Sequence, residues 1–153
     1  MDQRRAGFTL VEIIVVTLVI GIMAAIAIPA FLHARKITQM NRFIGDLRIL
    51  SDGMVQLVMS TGNYPPDRQP GEVPAGMTNF VRNIDWSKPT VIGGLWDWDY
   101  QTYQFGGKAG ISVHGPDWSA EEMQEIDARI DDGNLSTGYF RQNGTHYTYL
   151  IER

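Results

Sequence analysis

The chain has no cysteine among its 153 residues, which excludes disulfides and thiol catalysis but leaves the redox compartment open. It also lacks a basic surplus. The formal net charge is −4, and no cluster of Lys or Arg follows Lys36, so the electrostatic footprint of a nucleic-acid-binding protein is missing. No G-x-S-x-G elbow, phosphate-binding loop or dinucleotide fingerprint is present. The three histidines, His33, His114 and His146, have no zinc-type spacing and read as surface or structural residues. One segment lacks charge almost entirely. From Phe8 to Leu32 the only ionisable side chain is Glu12.

What is present starts from that run. At 1.5 Å per residue, about 20 apolar residues cross the hydrocarbon of a bilayer as a helix. A charge inside such a span costs about 2.5–3.5 kcal/mol, so Glu12 is expected to need a partner. The segment before it, residues 1–7, is short and polar, with Arg4 and Arg5 followed by Ala6-Gly7. In a secretory signal the small-residue cleavage site follows the apolar region. Here it precedes that region, so cutting after Gly7 would remove the leader, keep the membrane helix and create an α-amino group at Phe8. Phe8 and Glu12 are four residues apart, one helical turn, which allows pairing within a chain or between subunits. Losing Asp2, Arg4 and Arg5 would leave 11 basic and 16 acidic residues.

At these residues the chain resembles the type IV pilin superfamily, including the pseudopilins of type II secretion. The resemblance lies in Gly7-Phe8-Thr9-Leu10-Val11-Glu12, in Gly21, and in Ala24-Ala25-Ile26-Ala27-Ile28-Pro29, about the first 30 residues. It implies cleavage after Gly7 and methylation of Phe8 by a prepilin peptidase/N-methyltransferase. It further implies a single-pass protein of the bacterial inner membrane that inner-membrane assembly machinery draws into a homo-oligomeric filament with other pilin-like subunits. Glu12 would there neutralise the Phe8 amine of a neighbour. Many type IV pilins staple a C-terminal loop with a disulfide, which this chain cannot do. Retention of Glu12 argues against the tip subunits that lack this acid. Arg4 and Arg5 favour a cytoplasmic leader and an extracytoplasmic C-terminal part, although His33, Arg35 and Lys36 complicate a charge count.

The remaining residues divide into an amphipathic continuation of the helix, 33–61, and a globular part, 62–153. Leu32, Ile37, Met40, Ile44, Leu47, Leu50, Met54 and Val58 recur every three to four residues as one helical stripe. Pro29 lacks a backbone donor and predicts a kink or local melting. Gly21 would let a second helix approach closely. Gly62 and Pro65-Pro66 stop the helix, and a short helix is expected from Pro74 to about Asn83. Strands are expected at Leu95–Tyr100, Ala109–His114, Gly138–Arg141 and Thr145–Glu152, the last two around an Asn143-Gly144 turn. Ser119-Ala120-Glu121-Glu122 has the capping-box pattern and opens a helix reaching toward Gly133. The fold class is therefore α+β: a long N-terminal helix packed on a small antiparallel sheet, its outer half burying Leu47, Leu50, Met54 and Val58.

Two oxygen-rich groups are candidate cation sites. Asp127, Asp131, Asp132 and Asn134 crowd a helix C-terminus, where the helix dipole disfavours negative charge and a calcium ion would relieve the cost. Asp97 and Asp99 lie about 7 Å apart on one strand face, from two residues of strand rise. They could hold calcium or act as paired acids, or form a solvated face behind Trp96 and Trp98. Tyr64, Trp86, Trp96, Trp98, Trp118, Tyr147 and Tyr149 could line a carbohydrate- or protein-binding face, or make the core. The function read from the sequence is a filament subunit, not an enzyme, of the type II secretion pseudopilin kind, with calcium as the one candidate cofactor. A type IV pilin of a surface pilus is the first alternative. A monomeric membrane-anchored enzyme or binding module is the second.

Overall fold

The structure, a computed structural model, describes residues 9–81, 83–101 and 106–153. The leader, with Gly7 and Phe8, lies outside them. Two compact units divide the chain, 1–38 and Gln39–Arg153.

Helix α1 runs Leu10–Thr61 and continues through Pro29. Thr9 and Glu12 begin it with a reciprocal cap. Thr9 N–H and Thr9 Oγ1 each donate to Glu12 Oε2 at 2.8 Å, and Glu12 N–H donates to Thr9 Oγ1 at 3.3 Å. Thr9-x-x-Glu12 is thus a capping box, which satisfies backbone donors that the first turn leaves without partners. At the far end Gly62 N–H bonds the Val58 carbonyl.

In the second unit, α1 buries Met40, Phe43, Ile44, Leu47, Leu50, Met54 and Leu57. Of the expected stripe, Met40, Ile44, Leu47, Leu50 and Met54 are buried, Ile37 is half-buried and Leu32 is exposed, and there are two further differences. Phe43 joins it, and Leu57 takes the fully buried place while Val58 is half-buried. Position 57 follows Met54 by three and position 58 by four. Both lie near the buried face, and the loop at residues 75–77 favours Leu57 by packing there: a Cβ on Gly76 would sit 2.9 Å from Leu57 Cδ1.

The expected helix from Pro74 to Asn83 is only a 3₁₀ turn at Met77–Asn79. Gly76 has φ +85°, a left-handed conformation that no α-helix crosses.

Strands β1 (Leu95–Tyr100), β2 (Ala109–His114), β3 (Phe140–Asn143) and β4 (His146–Glu152) form one antiparallel sheet in the order β1-β2-β4-β3. Helix α2 (Ala120–Ile130) lies between β2 and β3 in the chain. Its Ser119–Glu122 capping box forms as the pattern predicted, and it ends on Asp131 rather than Gly133. The last hairpin is displaced by one residue from expectation. Asn143 pairs with His146, so the two-residue loop is Gly144-Thr145. Gly144 has φ +60° and Thr145 has no positive φ, the pattern of a turn with glycine first.

Trp96, Trp98, Ile111, Val113 and Phe140 belong to the same buried cluster as α1. Phe43 stacks on Trp96 with centroids 5.0 Å apart. Trp98 Nε1–H donates to the Pro65 carbonyl at 3.0 Å, so the loop after α1 covers this side. Trp86, Trp96, Trp98 and Tyr147 are buried, and Tyr64, Trp118 and Tyr149 pack against them. These aromatics are core rather than a binding face.

Candidate functional site

The N-terminal stretch of α1 exposes almost every apolar side chain it carries. Leu10, Val11, Ile13, Leu18, Met23, Ile26 and Phe31 are all more than half exposed. The helix is long and apolar enough to cross a membrane, with a window of mean hydropathy 2.8 of which none is buried. So large an apolar surface is a membrane or subunit interface, since water-facing surfaces rarely carry one. Gly21 leaves a shallow dent lined by Ile14, Thr17, Leu18, Ile22 and Ala25, and nothing lies within 4 Å of a Cβ built there. Glu12 stands one turn into this apolar surface, held by Thr9. The Thr9-x-x-Glu12 spacing is the sequence signal of this box, and it gives Glu12 a partner within its own helix besides the expected Phe8 amine. Gly7 and Phe8, the expected processing residues, lie outside the described residues, and of the expected N-terminal residues Glu12 is seen.

The acidic group at the end of α2 is gathered in part. One carboxylate oxygen from each of Asp127, Asp131 and Asp132 lies within 4.8 Å of the others. Asp127 is fully buried, and neither of its oxygens has a hydrogen-bond partner among the described residues. Burial, followed by the charges of Asp131 and Asp132, pushes its pKa up to about 6. The backbone amides of Gly133 and Asn134 oppose this weakly, without reaching hydrogen-bond geometry. Asp131 and Asp132 bind the loop that follows. Asp131 Oδ2 accepts from the Tyr139 and Phe140 amides, and Asp132 accepts from Asn134 N–H at 2.9 Å and Thr137 Oγ1 at 2.7 Å. Asn134 Oδ1 accepts from Ser136 N–H at 3.1 Å, so this side chain also holds the loop.

On the sheet face away from α1 the alternative of a solvated Asp97–Asp99 face is corrected. Asp97 is only 6% exposed, and its Oδ1 is buried with no partner among the described residues. Its pKa is pushed up to about 7, first by burial and then by Asp99 and Asp67. Asp99 is satisfied instead: Ser112 Oγ donates to it, and Ser112 lies 2.7 Å from Thr148 Oγ1. Register explains the burial. Asp97 sits opposite Ser112, which sits opposite Thr148, so the centre of this face is one closed polar row. At the row's end His114 pairs with His146, their rings stacked at 3.9 Å. Burial and the neighbouring His114 lower the His146 pKa. The two histidines are 32 positions apart in sequence, which is why spacing rules did not link them.

Three comparisons bear on these features. Residues 2–28 match the family described as the prokaryotic N-terminal methylation motif. Over nearly its whole length the chain is similar to the type II secretion system core protein G of Dickeya chrysanthemi, 24% identical with 94% of this chain and 96% of the relative covered. The core protein G of Klebsiella pneumoniae is 25% identical over 81% of this chain and 94% of that protein. Fimbrial protein Q of Moraxella bovis is 46% identical, but over 29% of each chain. In fold, the chain is similar to the major type IV pilin PilA1 of Clostridium difficile, with a TM-score of 0.52 at 9% identity, covering 79% of this chain and 98% of that one. A methylation-motif N-terminus on an exposed apolar helix, together with a pilin-like sheet domain, makes this chain similar to the proteins of the type IV pilin superfamily.

Proposed function

We propose that this protein is the structural subunit of a pseudopilus-type filament that serves type II secretion. The observation that carries this reading is Glu12, a single acid at the start of the exposed apolar stretch of α1. In the membrane the exposed face of α1 meets lipid; in a filament it meets the same face of other subunits. Prepilin peptidase cuts after Gly7 and methylates Phe8, and the new amine pairs with Glu12 of a neighbour. A buried ion pair offsets the desolvation of both charges, whereas an unpaired Glu12 carries its cost alone. Gly21 admits close packing, and the missing donor at Pro29 makes that turn the place where α1 bends during assembly. The C-terminal unit lies outside the cytoplasm, and the assembly machinery sits in the inner membrane. Similarity over 94% of the chain to core protein G, against a match over 29% of it for the fimbrial protein, favours secretion over a surface pilus. The specific match to Fimbrial protein Q supports the second reading, a type IV pilin.

Calcium fits the α2 terminus in this reading. Asp127 offers two buried oxygens with no donor, and Asp131 and Asp132 add carboxylates beside it. Hard oxygen donors of this kind suit calcium, which would neutralise repelling charges at a helix C-terminus.

The test is recovery of filaments from cells that overproduce the chain together with the genes of a type II secretion assembly system. Sheared filaments should contain the chain, with an N-terminus at Phe8 by intact mass. Protein that keeps Met1–Gly7 and stays in the membrane fraction would overturn the reading. Secretion lost on deletion, with no effect on surface pili, separates the pseudopilus from the pilus.

A further inference from the structure

The polar row on the outer sheet face ends in a group that neither the fold nor the filament explains. Asp97 on β1, His114 at the end of β2 and His146 at the start of β4 each place a ligand atom within 4.8 Å of the other two. These are three adjacent strands. His114 and His146 face each other in register, and Asp97 lies two residues along β1 from Leu95, the partner of His114. Asp97 supplies the observation that points to a ligand. It is more than nine-tenths buried, and its Oδ1 has no hydrogen-bond partner among the described residues, although the neighbouring Asp99, Ser112 and Thr148 form their own closed set. A buried carboxylate oxygen left without a donor is costly unless a cation or donor takes it.

We propose that Asp97, His114 and His146 form a binding site for a divalent transition-metal ion of the zinc class. Two imidazoles and one carboxylate are a ligand set for zinc and its neighbours, whereas calcium and magnesium take all-oxygen sites. Zinc bonds of about 2.1 Å in a tetrahedron put ligand atoms about 3.4 Å apart. The ligand atoms, within 4.8 Å of one another, would close to that distance if the imidazoles turned about their side-chain bonds. Both histidines are partly exposed, so the fourth position faces solvent and takes water. The ion would tie β1, β2 and β4 together at one end of the sheet, and its site is separate from the carboxylates at the end of α2.

The test uses the tag-free full-length chain in detergent, stripped with chelator and titrated with zinc chloride against a chromophoric competitor. Cobalt absorption and the histidine side-chain NMR signals are followed in parallel. One equivalent of zinc should bind. Cobalt should give ligand-field bands in the visible, and the His114 and His146 resonances should shift while His33 serves as the unshifted control. Asp97→Asn and His146→Gln should each weaken zinc binding at least about tenfold, the loss of one ligand or its partner. Asp131→Ala with Asp132→Ala should bind zinc as the unchanged chain does. The NMR arm needs no variant, so a misfolded substitution cannot hide the answer. Absence of zinc binding, His114 and His146 signals that stay still, or loss of binding in the Asp131/Asp132 variant in place of the Asp97 and His146 variants would each overturn the proposal.

Discussion

Phe43 of α1 and Trp96 of β1 lie face to face, 5.0 Å between centroids and 9° from parallel. Both are buried, at 0% and 2% exposure. They join the outer half of the long helix to the sheet, so the helix is part of the domain core. A fragment beginning near Ala34 should therefore fold as a soluble monomer, while one beginning at Gly62 should lose cooperative unfolding because Trp96 and its neighbours lose their cover. In the longer fragment Phe43→Ala should cost about 3–5 kcal/mol, the range for deleting a buried aromatic ring. Urea denaturation measures both. A Gly62 fragment with an equal midpoint would mean that the sheet is covered by something other than α1.

The Thr9–Glu12 box separates two roles of the same carboxylate. Glu12→Gln keeps a group that can accept from Thr9, so the helix start should hold, but it removes the charge. Incorporation into filaments should fall roughly tenfold or more, as expected for losing one partner of a desolvated charge pair worth about 2 kcal/mol or more. Membrane insertion should be unchanged. Thr9→Val should do the opposite, loosening the first turn while leaving the charge. Co-expression of tagged variant and unmodified subunits, with quantification in sheared filaments, reads the difference. Equal incorporation of Glu12→Gln would remove charge pairing from the assembly step.

Calcium should stabilise the C-terminal unit. At a hundredfold excess over Kd the gain is about 2.7 kcal/mol, which raises Tm on the order of 10 °C for a domain of this size. Asp131→Ala with Asp132→Ala should abolish the rise. Differential scanning calorimetry in millimolar calcium and in chelator measures it, and superimposable curves would leave the α2 terminus without a calcium role.

Asp97 makes a pH prediction with a definite sign. Its folded pKa, about 7, stands above an unfolded value near 3.9. Between those values the folded state holds more protons than the unfolded state, so stability falls as pH rises from about 4 to 7. Asp127, with a folded pKa of about 6, acts in the same direction over a narrower window. In chelator, Asp97→Asn should flatten the decline between pH 5 and 7 relative to the unchanged fragment, whatever it does to absolute stability. Urea midpoints across that range decide it, and parallel slopes would mean that Asp97 ionises freely in the folded state.

The features legible in the sequence were those written in neighbouring residues. The apolar run with Glu12, the heptad-like stripe of α1, the Ser119–Glu122 box and the alternation of Trp96 and Trp98 with Asp97 and Asp99 depend on one helical turn or one strand pleat. Local periodicity reports these directly, and the α+β class followed from them. The errors were also local in cause. One strand residue more at Asn143 moved the turn, and a left-handed Gly76 reduced a helix to a 3₁₀ turn. The burial of Asp97, the orphaned oxygens of Asp127 and the meeting of His114 with His146 had no such signature. Each depends on the strand order β1-β2-β4-β3 and on the loops laid over it. Those are set by which distant apolar faces share a core, and only the folded chain brings residues 97, 114 and 146 to one place.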